Sequence, residues 1–173
     1  MISYGKNVYD NKEIKAILKT LKNSTQMGAE VSKFEDRISK IFGKKYSVLV
    51  NSGSSALDLA FSILDFPKGS NFITPVLTFG TTISSMVRAN YVPNFIDIKF
   101  DSLCISENDI VKAINKKTVG MCIPNLVGNL PDWLVIKKIA KKYNLFLIED
   151  SADTLGYKIK KKKYWQNIRY CYY

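Results

Sequence analysis

The sequence predicts an α/β fold: a three-layer α/β/α arrangement on a mostly parallel sheet. Two observations carry this expectation. Short apolar runs alternate with amphipathic segments of helix length, and small or acidic residues collect where the apolar runs end. Parallel strands need crossover connections, usually helices, which then cover the faces of the sheet.

Two helices come first. Ile14, Ile17, Leu18 and Leu21 stand at i, i+3, i+4 and i+7, and Val31, Phe34, Ile38, Ile41 and Phe42 form a second stripe that Gly43 stops. Strand-like runs follow at 46–50, 71–74, 94–98, 119–123 and 145–148, with helices expected at 56–64, 81–89, 106–114 and 131–142. Ser106 with Asp109 resembles a capping box, and Pro131 suits a first helical turn. No repeat or linker interrupts residues 1–157, which read as one domain. Residues 158–173 differ: after a stretch at 156–159 that could begin another strand, four lysines lead into an aromatic segment without periodicity, and 164–173 is expected to be exposed or irregular.

Bulk properties narrow the function classes. The chain has 173 residues and 46% hydrophobic content, ordinary for one globular domain. Its apolar runs fall short of the ~20 residues that span a bilayer, and residues 1–6 lack the apolar core of a signal peptide. A soluble, cytoplasmic protein is expected. Cys104, Cys122 and Cys171 are odd in number and have no CxxC spacing, so reduced structural thiols are expected rather than disulfides or a zinc site. The net charge of +11 invites a nucleic-acid reading, but six basic residues and no acid lie in 158–173. Removing those six leaves +5 on the first 157 residues. Histidine is absent, so acid–base chemistry falls to Lys, Asp, Glu, Tyr or a cofactor.

Four motifs follow successive strand-like runs. Asn51-Ser52-Gly53-Ser54-Ser55-Ala56 places small residues between a strand and an apolar helix, where free backbone N–H groups suit a phosphate; a plain polar turn is the alternative. Glu149-Asp150 ends an apolar run, and Asp153 follows. Such acids hold ligands at the carboxyl ends of strands in open α/β sheets, or bind a metal, or simply face solvent. Thr74-Pro75 with Thr78-Phe79, and Pro124-Asn125 through Gly128-Asn129, open the other two strand-end loops, though Phe79 could be ordinary core. Four such loops on one sheet fit a single binding crevice better than four accidents.

Together, Asn51-Ser52-Gly53-Ser54-Ser55-Ala56, Thr74-Pro75 with Thr78-Phe79, and Ile148-Glu149-Asp150-Ser151-Ala152-Asp153-Thr154-Leu155-Gly156 resemble the DegT/DnrJ/StrS sugar aminotransferases. These are fold-type-I enzymes that use pyridoxal 5'-phosphate (PLP) and act on nucleotide-linked keto sugars. The resemblance runs from about Tyr4 to Gly156 and implies that residues 1–157 are the N-terminal part of the family's PLP-dependent large domain, an incomplete fold-type-I domain. It implies that Gly53, Ser54 and Ser55 hold the cofactor phosphate, that Phe79 stacks on the pyridine ring, and that Asp150 pairs with the pyridinium nitrogen. Asp153 occupies the position beneath the ring where many relatives carry His or Gln. The Ser-Gly-Ser-Ser turn, Gly128-Asn129 and the acid at 153 look more like the nucleotide-sugar 3-dehydratase branch, in which histidine replaces the internal lysine. The resemblance also implies a role in lipopolysaccharide or polysaccharide biosynthesis and a homodimer when the enzyme is complete.

No residue here matches the family's catalytic Lys or His, so the chain is expected to be a truncated member, inactive alone. Shifting 163–173 by one base allows Asn-Thr-Gly-Lys-Ile-Ser-Asp-Ile-Ala-Thr-Thr, which the family would show next. On that reading the tail is out-of-frame translation. Two other readings stand beside it: a regulatory fragment that dimerises with a full-length homologue, and a tail that contacts single-stranded nucleic acid through lysines and aromatics.

Overall fold

In the computed structural model the alternation of the sequence becomes a parallel sheet. The structure describes residues 6–155, apart from Ser24 and Met27, and the backbone of residues 158–159, 162–163 and 170–172. Four strands form its body: β1 (Asn71–Pro75), β2 (Val92–Ile96), β3 (Thr118–Pro124) and β4 (Phe146–Asp150). Helices α3 (Gly53–Ser62), α4 (Gly80–Arg88), α5 (Glu107–Ala113) and α6 (Trp133–Lys142) accompany them, after α1 (Asn11–Asn23) and α2 (Ala29–Phe42). The spatial order is β2-β1-β3-β4, all parallel, so Pro75, Ile96, Pro124 and Asp150 end their strands at one common edge.

Side chains alternate between the two faces of each strand, and the core divides accordingly. Phe72, Cys122, Phe146 and Ile148 face α3 and α4, where Leu57, Phe61, Met86 and Tyr91 meet them. Ile73, Met121, Ile123 and Leu147 face the other way, onto Ile110 of α5, Trp133, Ile136 and Ile139 of α6, and Phe42 at the end of α2. This is the expected three-layer arrangement.

The directions of α3 and α4 matter for the site. The Phe61 ring, near the end of α3, packs edge-on against Phe72 near the start of β1, at 5.3 Å between centroids. Just beyond α3, Leu64 O accepts from the hydroxyl of Tyr91, which immediately precedes β2, at 2.8 Å. The end of α3 therefore lies at the amino edge of the sheet. Its 10 residues reach back about 15 Å, the length of the strands, so Gly53 comes to the carboxyl edge. Helix α4 runs the same way, from the loop after β1 to the start of β2, and its Arg88 pairs with Asp58 of α3.

Several sequence expectations need correction. Residues 46–50 form no strand and join no ladder. They lie along α2 instead, where the Ser47 hydroxyl donates to Glu35 O at 2.5 Å and Leu49 N donates to Glu35 Oε1 at 2.8 Å. Ser106 occupies the N-cap of α5 without a side-chain bond to a backbone N–H. Pro131 precedes α6 rather than opening it, and Asp132 caps that helix, accepting from Leu134 N and Val135 N. In the tail, β5 (Lys158–Ile159) and β6 (Lys162–Lys163) pair antiparallel, and β7 (Tyr170–Tyr172) lies parallel to β4. The expectation of an exposed or irregular segment thus fails at 170–172, because the outer edge of β4 offers unpaired backbone groups to a segment of high β-propensity. The rest of the tail lies outside the described residues.

Candidate functional site

Three of the four sequence motifs converge on the carboxyl edge through their backbone, and the fourth through helix α3. Ser52 is extended (φ −160°, ψ 160°) and caps α3, its Oγ accepting from Ser55 N at 3.1 Å. Gly53 and Ser54 occupy the first turn, where N–H groups have no acceptor within the helix. Those groups and the helix dipole together favour an anion. The loop after β1 carries Thr78 and Phe79. Phe79 stands at the N-cap of α4 with no side-chain cap bond, and its ring is 69% exposed. An aromatic of that exposure at the rim is available to stack rather than fill the core.

Asp150 closes β4 on the α3/α4 face and is almost fully buried. Its Oδ2 accepts from the Thr82 hydroxyl of α4 at 3.1 Å, and its Oδ1 accepts from Ala152 N at 3.2 Å. Its charge, after burial, also helps hold the Cys122 thiol on the same face well above its ordinary range. Asp153 lies in the following turn, exposed, its Oδ2 accepting from Val127 N at 2.8 Å. The loops after β3 and β4 are therefore tied together across the rim.

Glu149 does not join its neighbour. One residue earlier in the strand, it points to the α6 face and is fully buried. Burial pushes its carboxyl up to about 7, although hydrogen bonds from Asn125 and Ser151 and the charges of Lys137 and Lys44 pull it down. Its Oε2 has no hydrogen-bond partner among the described residues. Motif reading grouped the two acids; the pleat separates them. Thr82, the partner of Asp150, escaped sequence reading because it lies inside an ordinary helical pattern. Trp133 gave a signal that was not followed: an indole at the start of a helix needs a buried acceptor.

Among the described residues no helix is long and apolar enough to cross a membrane, and no His, Cys, Asp and Glu cluster is placed to hold a metal ion. Cys104 and Cys122 are buried free thiols.

Residues 7–166 match the sequence model of the DegT/DnrJ/EryC1/StrS aminotransferase family. The chain belongs to this family. Among its relatives, the GDP-4-keto-6-deoxy-D-mannose 3-dehydratase of Yersinia pseudotuberculosis is 32% identical over 164 residues, which is 91% of this chain and 42% of that one. The UDP-4-amino-4,6-dideoxy-N-acetyl-beta-L-altrosamine transaminase of Campylobacter jejuni is 34% identical over 167 residues, 94% of this chain and 44% of that one. A crystal structure of GDP-4-keto-6-deoxymannose-3-dehydratase with a trapped PLP-glutamate geminal diamine superposes with a TM-score of 0.85 at 29% identity, again over 91% and 42%. The chain thus spans about two fifths of the length of these family members. Dehydratases and transaminases resemble it equally well at the level of identity. In fold it is the corresponding part of a fold-type-I PLP enzyme.

Proposed function

We propose that this chain is the cofactor-binding part of a PLP-dependent enzyme of nucleotide-sugar metabolism. The observation that carries the reading is the shared rim, with the α3 N-terminus and the buried Asp150 at the same edge of one sheet. The donor set fits PLP at both ends. Gly53 and Ser54 offer N–H groups and Ser54 and Ser55 hydroxyls to a phosphate, and Asp150, held by Thr82 and Ala152 N, offers a carboxylate to a ring nitrogen. Phe79 supplies a face for the ring and Asp153 a second acid beneath it. Bound there, PLP supplies an electron sink for a substrate carbanion. Asp150 would hold a proton on the ring nitrogen, Thr82 and Ala152 N would aim its carboxylate, and the α3 N-terminus would balance the phosphate charge.

The complete enzyme, on this reading, acts on a nucleotide-linked 4-keto-6-deoxy sugar in lipopolysaccharide or polysaccharide synthesis, works in the cytoplasm and forms a homodimer. The Ser-Gly-Ser-Ser turn, Gly128-Asn129 and the acid at 153 favour the 3-dehydratase branch. A polypeptide of these 173 residues alone catalyses neither dehydration nor transamination, since none of its residues matches the family's catalytic Lys or His.

Pyridoxamine 5'-phosphate tests the site cleanly, because the amine cannot condense with the chain's many lysines. Saturable binding is expected, weakened about tenfold or more by Asp150→Ala and by Ser54→Glu. Binding indifferent to both substitutions would remove the site. A stoichiometric adduct of PLP itself, trapped by borohydride on one lysine, would contradict the inactivity of the chain alone.

A further inference from the structure

Asn125 stands where β3 leaves the sheet, fully buried, and the roles assigned above do not use it. Its backbone N–H donates to Asp150 O at 2.9 Å, one step beyond the ladder that pairs Pro124 with Asp150. Its carboxamide is saturated. The two Nδ2 hydrogens are shared among Glu149 Oε1 at 2.8 Å, Thr154 Oγ1 at 3.1 Å and Ser151 Oγ at 3.2 Å. Its Oδ1 accepts from the Trp133 indole at 2.8 Å. The Ser151 hydroxyl donates to the same Glu149 oxygen at 2.9 Å, closing the network.

The partners come from three places: β4, the turn after it, and the first residue of α6. That turn is closed by Thr154 N donating to Ser151 O at 3.0 Å, and it carries Asp153. Opposite, Val127 and Gly128 take left-handed conformations (φ 52° and 82°), curling the loop so that Val127 N meets Asp153 Oδ2. A buried carboxamide with donors and acceptor all engaged has one orientation that satisfies every partner.

We propose that Asn125 is a positioning residue whose carboxamide clasps the loops after β3 and β4 and so sets where Asp150 and Asp153 stand at the rim. It rests on the reading that those two acids face the cofactor. Asn125 touches neither the ring nor the phosphate cradle; it acts through the turn 151–154 and the end of β4.

The test uses the full chain with Asn125→Leu, the milder Thr154→Val, and Ile136→Val as a control in the same core that leaves the network intact. Amide hydrogen exchange is read without ligand, and pyridoxamine 5'-phosphate is then titrated with its absorbance followed against pH. Both network variants should accelerate exchange at the amides of residues 125 and 127 about tenfold, while β1 amides at Ile73 and Thr74 keep wild-type rates. Both should weaken the phosphate ligand about five-fold or more. Both should also move the absorbance midpoint of the bound ligand to lower pH, because Asp150 no longer supports the protonated ring nitrogen. Ile136→Val should do none of this. Should Asn125→Leu not fold, Thr154→Val decides alone. Unchanged exchange at residues 125 and 127, or weakened binding with an unmoved midpoint, overturns the proposal. If the wild-type chain binds no pyridoxamine 5'-phosphate, it is the cofactor reading that falls, and the exchange rates judge the clasp by themselves.

Discussion

Adjacent acids at the end of β4 sit on opposite faces of the sheet with different partners. Asp150 has a hydroxyl and a backbone N–H donating to its two carboxylate oxygens. Glu149, on the other face, loses more to burial than its hydrogen bonds return, so its carboxyl titrates near 7 rather than at its ordinary 4.5. The folded state therefore binds a proton more tightly than the unfolded chain does. The resulting stability is complete below about pH 4.5 and is lost as pH rises through about 7. In urea unfolding followed by tryptophan fluorescence, the wild type should lose stability over this window, by an amount on the order of a few kcal/mol. Glu149→Gln keeps the Oε1 acceptor and removes the titration, so its stability should stay flatter than the wild type between those pH values. Parallel profiles for the two proteins would show that Glu149 titrates normally. The sequence made Asp150 legible as a site residue because of its place at the end of an apolar run. It could not show that Glu149 is dry, since that depends on Trp133 and Asn125 closing over it.

At the scale of elements, the strands and helices with a clear period were readable, and the departures have local causes. The expected strand at 94–98 is displaced to Val92–Ile96 because Pro93 is tolerated inside it: β2 is an edge strand, where a missing N–H costs no ladder bond. Helix α3 begins three residues before the expected Ala56, since Gly53, Ser54 and Ser55 form its first turn rather than the turn before it. Residues 46–50 form a strand-like apolar run, yet they pair with Glu35 of α2 and not with a strand. Gly120 illustrates a constraint with no sequence signal. A Cβ there would meet the Phe72 ring and approach Phe146 O at 2.8 Å. Phe72 is fully buried between α3 and the sheet and has nowhere to swing. Gly120→Ala should therefore cost about 1–3 kcal/mol, seen as a lower urea midpoint with an unchanged slope. An unchanged midpoint would mean that β3 and β4 can part without loss.

For the whole molecule, burial is uneven. The sheet and α3 to α6 hold the core, whereas α1 buries none of its residues and leaves Ile14, Ile17, Leu18 and Leu21 exposed along one stripe. A second apolar surface lies between α2, residues 46–50 and α3, around a cavity of about 370 Å³. Contiguous apolar surface of this kind drives association. Sedimentation of the chain at rising concentration should show self-association, and Ile17→Glu with Leu21→Glu should reduce it while leaving the unfolding free energy within about 0.5 kcal/mol of wild type. Equal association by the double variant would place the sticky surface elsewhere.

The strand order also dictates a sequence of events during synthesis. β1 lies between β2 and β3, so both of its partners are made after it. At about 5–20 residues per second, the roughly fifty residues from Pro75 to Pro124 take about 3–10 s to emerge. Through that interval the nascent Phe72 and Ile73 have no finished sheet to enter, and a strand buried along its whole length waits longest on the ribosome for its neighbours.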